Sequence, residues 1–442
     1  MSAVLPKSVD YSEALSTLPP DTQSFQVVCN PVSGSTFTTG NQIDVDLGSR
    51  GLMVPNSLMI RYKGAAIGLG AQDANICGTP VYTPFLRLNT MMNSQTTETI
   101  NNYNVVANLI TNLTKDVAQK YGEQYSLGYS FPDATLAMEN LDGGVLLNAT
   151  PSRMFSAPLH CALAYSEKLI PLFALNGIRL TFTIDSVANI FSAITSSGGA
   201  ALVLPTDFQI SNFEVIYQCV DFGKDVENQI LSMPRLRLKS NTWGTSIQSV
   251  PANTTGQVNL NYNLKYSSIK AIIANFGGTS RVYSATAGQG GSGNGNMDSF
   301  DLSRGGDYQF QVSGINYPQR ALSSGNNKGG ILQSLRYAVG SVFDKSNALS
   351  INSIEFDTNS LMGSGANTSV TRPSKFWVGV CTEKLRVATG GFFSGISTEN
   401  GAITLTSNIA SANPFACNAM LIVAADYILE IDPQTRQVVV IQ

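Results

Sequence analysis

Apolar and polar residues alternate with a period of two along much of the chain. The longest such run alternates polar residues with Val258, Leu260, Tyr262, Leu264 and Tyr266. This pattern predicts an antiparallel strand that has one buried and one solvated face. The same alternation occurs in Ile43–Leu47, Leu180–Ile184 and Ile403–Thr406. Clusters of Gly, Pro, Asn and Ser separate these runs, as turns separate short strands, so the pattern predicts an all-β chain.

Two segments carry apolar residues at steps of three and four instead. The first segment is Asn102–Tyr121 and the second is Gly330–Phe343. Such spacing predicts a helix with one apolar stripe. Each segment follows a series of predicted strands, so we expect two β-sandwiches that each carry one short helical insertion.

The predicted elements occur twice in the same order, about 210 to 225 residues apart. Ile110 in the first predicted helix corresponds to Leu335 in the second, and the run Arg179–Ile184 corresponds to Ala402–Ser407. This repetition predicts two tandem eight-stranded jelly-roll sandwiches, a double jelly roll. The predicted boundaries are an extended N-terminal arm at 1–24, a first jelly roll at 25–225, a connector at 226–238 and a second jelly roll at 239–442.

Composition narrows the classes of function. Charged residues make up only 13% of the chain and the formal net charge is -3, with no block of Lys or Arg. A basic surface for gripping nucleic acid is therefore not expected. No run of apolar residues is long enough to cross a bilayer, and the first residues lack the apolar core of a secretory signal. The six cysteines are widely spaced and form no CxxC pair, which is typical of free thiols in a reducing compartment.

Three features of the sequence could carry chemistry. His160 is the only histidine and is followed by Cys161, which a strand would direct to the opposite side; a structural role is the favoured interpretation. Asp44 and Asp46 share one face of a predicted strand at a spacing that glycosidases use, but a solvated strand face is preferred. Gly288–Asn296 is glycine-rich, yet it lacks the buried strand and following helix of a dinucleotide site and is interpreted as a surface loop. We therefore expect no catalytic, cofactor-binding or metal-binding residues, no cofactor and no enzymatic activity.

Four short stretches resemble one known family. Phe393–Thr398, followed by the strand at Ile403, is similar to the SG-x-N-T element of double jelly-roll major capsid proteins, with Ser397 where Asn is more usual. These proteins form the shells of tailless icosahedral DNA viruses of the polinton-like and eukaryotic large DNA virus types. The further similar stretches are Ile170–Leu180, Gly314–Pro318 and Asp426–Asp432.

The resemblance implies a function in a virus shell. Three copies would form a pseudo-hexameric trimer, and trimers would tile an icosahedral capsid. The implied partners are the two other copies of the homotrimer, neighbouring capsid trimers, and penton and minor capsid proteins, with an internal membrane as a further candidate. No direct sequence-specific binding of nucleic acid is expected, and the implied location is the virion after synthesis in the host cytoplasm. The loop Ala285–Asp301 would crown the outer surface, and the arm at 1–24 would reach a neighbouring subunit or an inner layer.

Other classes of protein stay open at this point. A viral spike or attachment protein is also β-rich and trimeric, although it usually has fibrous repeats. A carbohydrate-binding β-sandwich surface protein is normally secreted and exposes aromatic residues. A glycosidase groove is usually lined by Trp, and this chain has only two.

Overall fold

The computed structural model describes residues 22–69, 74–129, 144–146, 151–192, 204–278, 297, 299–343, 351, 356, 375–384, 393–413 and 416–442. Residues 1–21 of the predicted arm lie outside the described residues. So do the glycine-rich stretch Gly288–Asn296 and most of the predicted crown loop Ala285–Asp301.

The first sandwich consists of strands β1–β14 and carries helices α1–α4. Its strands are β1 (Gln23–Cys29), β2 (Thr36–Phe37), β3 (Gln42–Leu47), β4 (Leu52–Met53), β5 (Met59–Ile67), β6 (Ala74–Ile76), β7 (Phe85–Met92), β8 (Gln95–Asn101), β9 (Gly144–Leu146), β10 (Ser152–Pro158), β11 (Ile170–Pro171), β12 (Ile178–Ile184), β13 (Phe191–Ser192) and β14 (Asp207–Asp221). Its helices are α1 (Tyr103–Thr114), α2 (Val117–Gly122), α3 (Gln124–Leu127) and α4 (Val187–Ile190).

The second sandwich consists of strands β15–β23 and carries helix α6. Helix α5 (Lys224–Leu231) lies between the two sandwiches in the chain. The strands are β15 (Leu236–Val250), β16 (Gly256–Tyr262), β17 (Ile269–Gly278), β18 (Asp307–Val312), β19 (Ile315–Ser323), β20 (Val378–Cys381), β21 (Ile403–Ile409), β22 (Cys417–Ile431) and β23 (Val438–Ile441), and α6 spans Lys328–Phe343.

The two sandwiches have the same order of strands. In the first, one layer runs β1-β14-β5-β10 and the other β3-β12-β7-β8. In the second, the corresponding layers run β15-β22-β17-β20 and β16-β21-β18-β19. All these pairs are antiparallel, and the equivalent strands follow each other in the same chain order. The internal repeat predicted from the sequence is therefore confirmed.

Each sandwich contains the eight predicted strands and some further short ones. In the first, β2, β4 and β11 lengthen the layer that contains β14, and β6, β9 and β13 form a separate three-stranded sheet. In the second, β23 pairs with the end of β22. The central strands β14 and β22 have 15 residues each, and several shorter strands share one side of them. In the second sandwich β15 pairs with the whole of β22 on one side, whereas β17 and β23 divide the other side between them.

Alternation fixes which side chains enter the core. On β3 the buried residues are Ile43, Val45 and Leu47, as predicted. The strand predicted to reach Tyr266 ends at Tyr262 instead. The reason is that the N–H and C=O of Tyr266 bond to Thr398 rather than to a neighbouring strand.

The predicted helix at Asn102–Tyr121 is divided in two. Helix α1 ends at Thr114, and α2 begins at Val117. The carboxylate of Asp116 accepts a hydrogen bond from the N–H of Gln119 at 2.7 Å, which is the geometry of a residue that starts a new helix. The second predicted helix forms as one piece, α6.

Aromatic side chains fill the space between the layers of both sandwiches. In the first, the ring of Phe85 packs against Tyr62, Phe182 and Phe213. In the second, the ring of Tyr308 packs against Phe276 and Phe376. These ring contacts, with centroids 5–6 Å apart, are the arrangement expected of a closed two-layer core.

Candidate functional site

Asp44 and Asp46 lie on the solvent side of β3, where each is engaged by the neighbouring strand β12. The hydroxyl of Thr181 donates to Asp44 Oδ1 at 2.7 Å. The guanidinium of Arg179 donates to both oxygens of Asp46, at 2.6 and 2.9 Å, and this bond lowers the pKa of Asp46 below its usual range. Both carboxylates thus form ordinary cross-strand pairs, and Asp46 is unsuited to act as a general acid.

His160 lies just after β10 and packs between two tyrosine rings, those of Tyr82 and Tyr165. Its Nδ1 is 2.5 Å from the hydroxyl oxygen of Tyr165. Burial, with a smaller contribution from the charge of Lys115, lowers the pKa of His160 to about 3. The imidazole is therefore neutral at physiological pH, in the environment of a packed structural side chain.

The cysteines are all free, and four of the six are fully buried. Burial raises the pKa of Cys161, and the nearby carboxylate of Glu98 raises it further, so this thiol stays protonated. Within the described residues no group of three His, Cys, Asp or Glu side chains could hold a metal ion, and no helix is long and apolar enough to span a membrane.

The most elaborate polar site lies in the joint between the two sandwiches. Glu98 on β8 is buried there, and the N–H of Ala162 donates to both of its carboxylate oxygens at 3.0 Å. From the second sandwich, the hydroxyl of Thr242 on β15 donates to Glu98 Oε1 at 2.6 Å. One carboxylate therefore ties the edge strand of one sandwich to the edge strand of the other.

Further hydrogen bonds extend the joint on both sides of Glu98. The N–H of Glu167 donates to the C=O of Lys239 at 3.1 Å, and the hydroxyl of Thr245 donates to the C=O of Asn101 at 3.0 Å. The hydroxyl of Ser240 donates to the C=O of Ala162. Between these bonds the apolar side chains leave a cavity of about 10 Å³, room for a single water molecule. The cavity is lined on one side by Met92, Leu163 and Ile170 and on the other by Leu238, Tyr427 and Leu429.

Burial dominates the electrostatics of Glu98. It raises the pKa of this carboxyl from 4.5 to about 7, although the hydrogen bonds from Thr242, Ala162 and Thr90 favour the ionised form. The joint therefore contains a group that changes its charge near neutral pH. No motif or spacing in the sequence pointed to Glu98. The only available clue was that Glu98 shares the inward face of its strand with Ile100, a position where a charged residue is unusual.

The loop that carried the family resemblance is held by a buried polar network in the second sandwich. The carboxylate of Asp426 accepts hydrogen bonds from the hydroxyl of Ser268 at 2.6 Å and from the N–H of Ser394 at 3.2 Å. Its other oxygen lies 3.2 Å from the ammonium of Lys270. Thr398 closes the loop by donating its hydroxyl to the C=O of Leu264 at 2.7 Å.

Gly395 is required in this loop because no side chain fits there. A Cβ at this position would lie 2.2 Å from the C=O oxygen of Ile269. That close approach lets Ile269 and Ile396 exchange two backbone hydrogen bonds, at 2.8 and 3.0 Å. Ser397, the departure from the family pattern, is exposed, and its hydroxyl accepts a hydrogen bond from the N–H of Glu399 at 3.4 Å.

Comparison with solved structures gives matches along nearly the whole chain. The PBCV-1 virus capsid structure matches with a TM-score of 0.60 at 11% identity, over 97% of this chain and 99% of that chain. The Faustovirus major capsid protein matches with a TM-score of 0.56 at 8% identity, over 97% and 92%. The mavirus major capsid protein matches with a TM-score of 0.52 at 10% identity, over 100% and 95%.

The chain is a double jelly roll. The matched capsid proteins have this fold, and the two four-stranded layers in each half of the chain agree with it. The predicted fold class is therefore confirmed. No protein-family model matches the chain, and no curated protein matches it.

Proposed function

We propose that this chain is a major capsid protein, which forms pseudo-hexameric trimers that tile an icosahedral virus shell. The observation that carries the proposal is the match, over more than nine-tenths of both chains, to capsid proteins of PBCV-1, Faustovirus and mavirus. The role is structural rather than enzymatic.

The joint between the jelly rolls supports this proposal. A shell component must present several side faces in fixed relative positions, because closed assemblies need contacts that repeat with the same geometry. Buried hydrogen bonds of Glu98 with Ala162 and Thr242 connect the two jelly rolls into one block. Three such blocks would supply six similar jelly rolls, which is the number that a near-hexagonal outline requires.

We include the boundaries of the domains in the same proposal. It comprises an arm at 1–24, jelly rolls at 25–225 and 239–442, and a connector at 226–238. In support, β14 ends at Asp221 and β15 begins at Leu236, with α5 between them. The proposed partners are the other copies of the homotrimer, neighbouring trimers, and penton and minor capsid proteins. The proposed location is the virion, after synthesis in the host cytoplasm.

The proposal is tested on the purified full chain. Native mass spectrometry is expected to give the mass of three copies, and negative-stain microscopy is expected to show hexagonal particles or shells. Rod-shaped particles would favour a spike or attachment protein. A chain that stays monomeric at every concentration and binds a glycan array would favour the carbohydrate-binding alternative.

A further inference from the structure

Three side chains on neighbouring strands of the second jelly roll meet in the layer β15-β22-β17. They are Asn241 on β15, Asp426 on the central strand β22 and Lys270 on β17. Asn241 and Asp426 are directly paired in the ladder between β15 and β22, whereas Lys270 lies where the ladder between β17 and β22 shifts its register. The three strands thus bring an amide, a carboxylate and an amine together.

The amine of Lys270 contacts both of the other groups. Its Nζ lies 3.2 Å from Oδ1 of Asp426 and donates a hydrogen bond to Oδ1 of Asn241 at 3.4 Å. The amide carbon Cγ of Asn241 is bonded to that oxygen, about 1.2 Å away. Rotation about the terminal bonds of the lysine side chain moves Nζ from the oxygen to the carbon, within the roughly 3–3.5 Å from which a bond can form.

We propose that Lys270 and Asn241 join in a covalent isopeptide bond, which the folded chain forms by itself with Asp426 as the carrier of the protons. The bond would link Nζ of Lys270 to Cγ of Asn241 and release ammonia. It would tie β15 to β17 across the central strand β22. The inference goes beyond the proposed function, because the reaction takes place within one chain and does not depend on assembly.

The carboxylate of Asp426 is held so that one of its oxygens can take a proton. Its Oδ2 accepts hydrogen bonds from the hydroxyl of Ser268 at 2.6 Å and from the N–H of Ser394 at 3.2 Å. Its Oδ1 is buried and accepts no hydrogen bond of good geometry from the described residues, although the ammonium of Lys270 is within ion-pair distance. A proton on Oδ1 would therefore displace none of the hydrogen bonds that hold the carboxylate.

Burial favours the neutral forms of the amine and the carboxylate. The side chains of Asp426 and Lys270 are only 0% and 10% exposed. Two positions beyond Asn241, on the same face of β15, Trp243 is fully buried and its ring stacks on Phe343. Charges are costly in such a site, and transfer of one proton from the amine to the carboxylate leaves two neutral groups. An uncharged lysine amine is a nucleophile.

The reaction balances without any further reagent. Asp426 takes one proton from the ammonium, and Nζ of Lys270 then attacks Cγ of Asn241, so that a C–N bond forms and the carbonyl electron pair moves to the amide oxygen. Asp426 next gives its proton to Nδ2 of Asn241 and accepts the second proton from Nζ. The electron pair returns, the bond between Cγ and Nδ2 breaks, and ammonia leaves. Ammonia takes the remaining proton from Asp426 as ammonium, so the carboxylate is restored and nothing is oxidised or reduced.

Mass spectrometry of the purified full chain tests the bond. The denatured chain is expected to be lighter than its sequence by the mass of one ammonia molecule. Trypsin should not cleave after Lys270, because its amine is acylated, and peptides 240–265 and 266–281 should appear as one branched species. The branched species distinguishes this bond from loss of ammonia elsewhere in the chain. A chain with the mass of its sequence and normal cleavage after Lys270 would overturn the proposal.

Two variants identify the groups that react. Lys270→Arg keeps a cation beside Asp426 but removes the reactive amine, and Asn241→Ala removes the amide, so both should have the mass of their sequences. The matched control is Asn259→Ala on β16, which removes an amide whose oxygen accepts a hydrogen bond from Thr406 at 3.0 Å. This control should form the bond as the wild type does. If Asn241→Ala still gives a branched peptide at Lys270, the proposed bond is wrong.

A third variant tests the part of the carboxylate. Asp426→Asn keeps the size of the side chain but cannot carry a proton between the reacting nitrogens. Because proton transfer by a positioned side chain typically contributes roughly 100- to 10,000-fold to a rate, the branched peptide should be nearly absent from the freshly purified variant and should accumulate slowly. Complete conversion in the fresh variant would overturn the role of Asp426 as proton carrier.

Discussion

The two jelly rolls fasten equivalent loops with opposite chemistry. Both loops end in Asn-Gly just before a strand of the four-stranded layer, at Asn176 in the first jelly roll and at Asn400 in the second. In the first, the loop begins at Ile170, and the apolar side chains of Ile170 and Leu172 are buried. In the second, the equivalent loop begins at Ser394 and is held through Asp426.

The difference continues on the central strand behind each loop. Counted from the last residues of β14 and β22, Ile216 in the first jelly roll stands where Asp426 stands in the second, and both are buried. The strand order is the same although the buried contacts are apolar in one copy and ionic in the other. A fold set by strand pairing and alternation can therefore be kept while individual contacts change. The low sequence identity of the matched capsid proteins fits this conclusion.

The largest loss of stability is expected when the loop of the second jelly roll loses the buried carboxylate that holds it. Asp426→Ala leaves the buried ammonium of Lys270 without its carboxylate partner, and such a loss typically costs about 3–5 kcal/mol of unfolding free energy. Chemical denaturation measures this loss. The double variant Asp426→Ile/Lys270→Met gives the second jelly roll the apolar chemistry of the first and should recover much of the loss. A single variant as stable as the wild type would show that the ion pair is dispensable.

The contrast between Glu98, which is buried in the joint, and the exposed Asp46 on β3 predicts that Glu98 makes stability depend on pH. The pKa of Glu98 is raised from 4.5 to about 7, so between these values the folded chain binds a proton that the unfolded chain has lost. This group's contribution to stability is therefore full below pH 4.5 and is lost as the pH rises to 7. A shift of this size corresponds to about 3 kcal/mol.

Glu98→Gln is expected to remove that part of the pH dependence, because a neutral amide keeps an acceptor for Ala162 and Thr242 and does not ionise. The measurement is the difference in unfolding free energy between variant and wild type, taken across the pH range. Glu214→Gln, which removes an exposed ion pair with Arg61, is the control and should leave the profile almost unchanged. If the unfolding free energies of wild type and Glu98→Gln changed with pH in parallel, the raised pKa of Glu98 would be contradicted.

A smaller loss of stability is expected when a methyl group is added in the loop of the second jelly roll. Gly395→Ala places a methyl group 2.2 Å from the C=O oxygen of Ile269, and we expect a loss at the upper end of the roughly 1–3 kcal/mol typical of overpacking. Differential scanning calorimetry measures it. The same change at Gly329, where a Cβ would meet no atom closer than 4.0 Å, should leave stability unchanged or slightly higher. Equal unfolding temperatures for the two variants would show that the close approach carries no strain.

The parts of the fold that sequence could predict are those that depend on local pattern. Alternation located strands such as β3 and β12, and the repeat at a nearly constant spacing gave the two equivalent sets of strands. The alternation continues through Leu264 and Tyr266 and so predicts a longer strand than β16, which ends at Tyr262 because the backbone of Tyr266 bonds to Thr398. The pattern of side chains does not show where a backbone group finds its partner.

The joint at Glu98 could not be predicted from sequence for a related reason. Thr242, which donates to Glu98, is 144 residues away along the chain. Neither residue belongs to a recognisable motif, and β8 is rich in Thr, which is typical of a solvated strand. Only the packing of one jelly roll against the other shows that this carboxylate is buried.

The short connector around α5 has a kinetic consequence for assembly. It keeps β8 and β15 in one molecule, so the contact between them forms at a high effective concentration that dilution cannot change. Contacts between separate copies of the chain would have to form by diffusion and would separate on dilution. Any assembly of this chain would therefore separate into intact single chains in which the two jelly rolls are still joined.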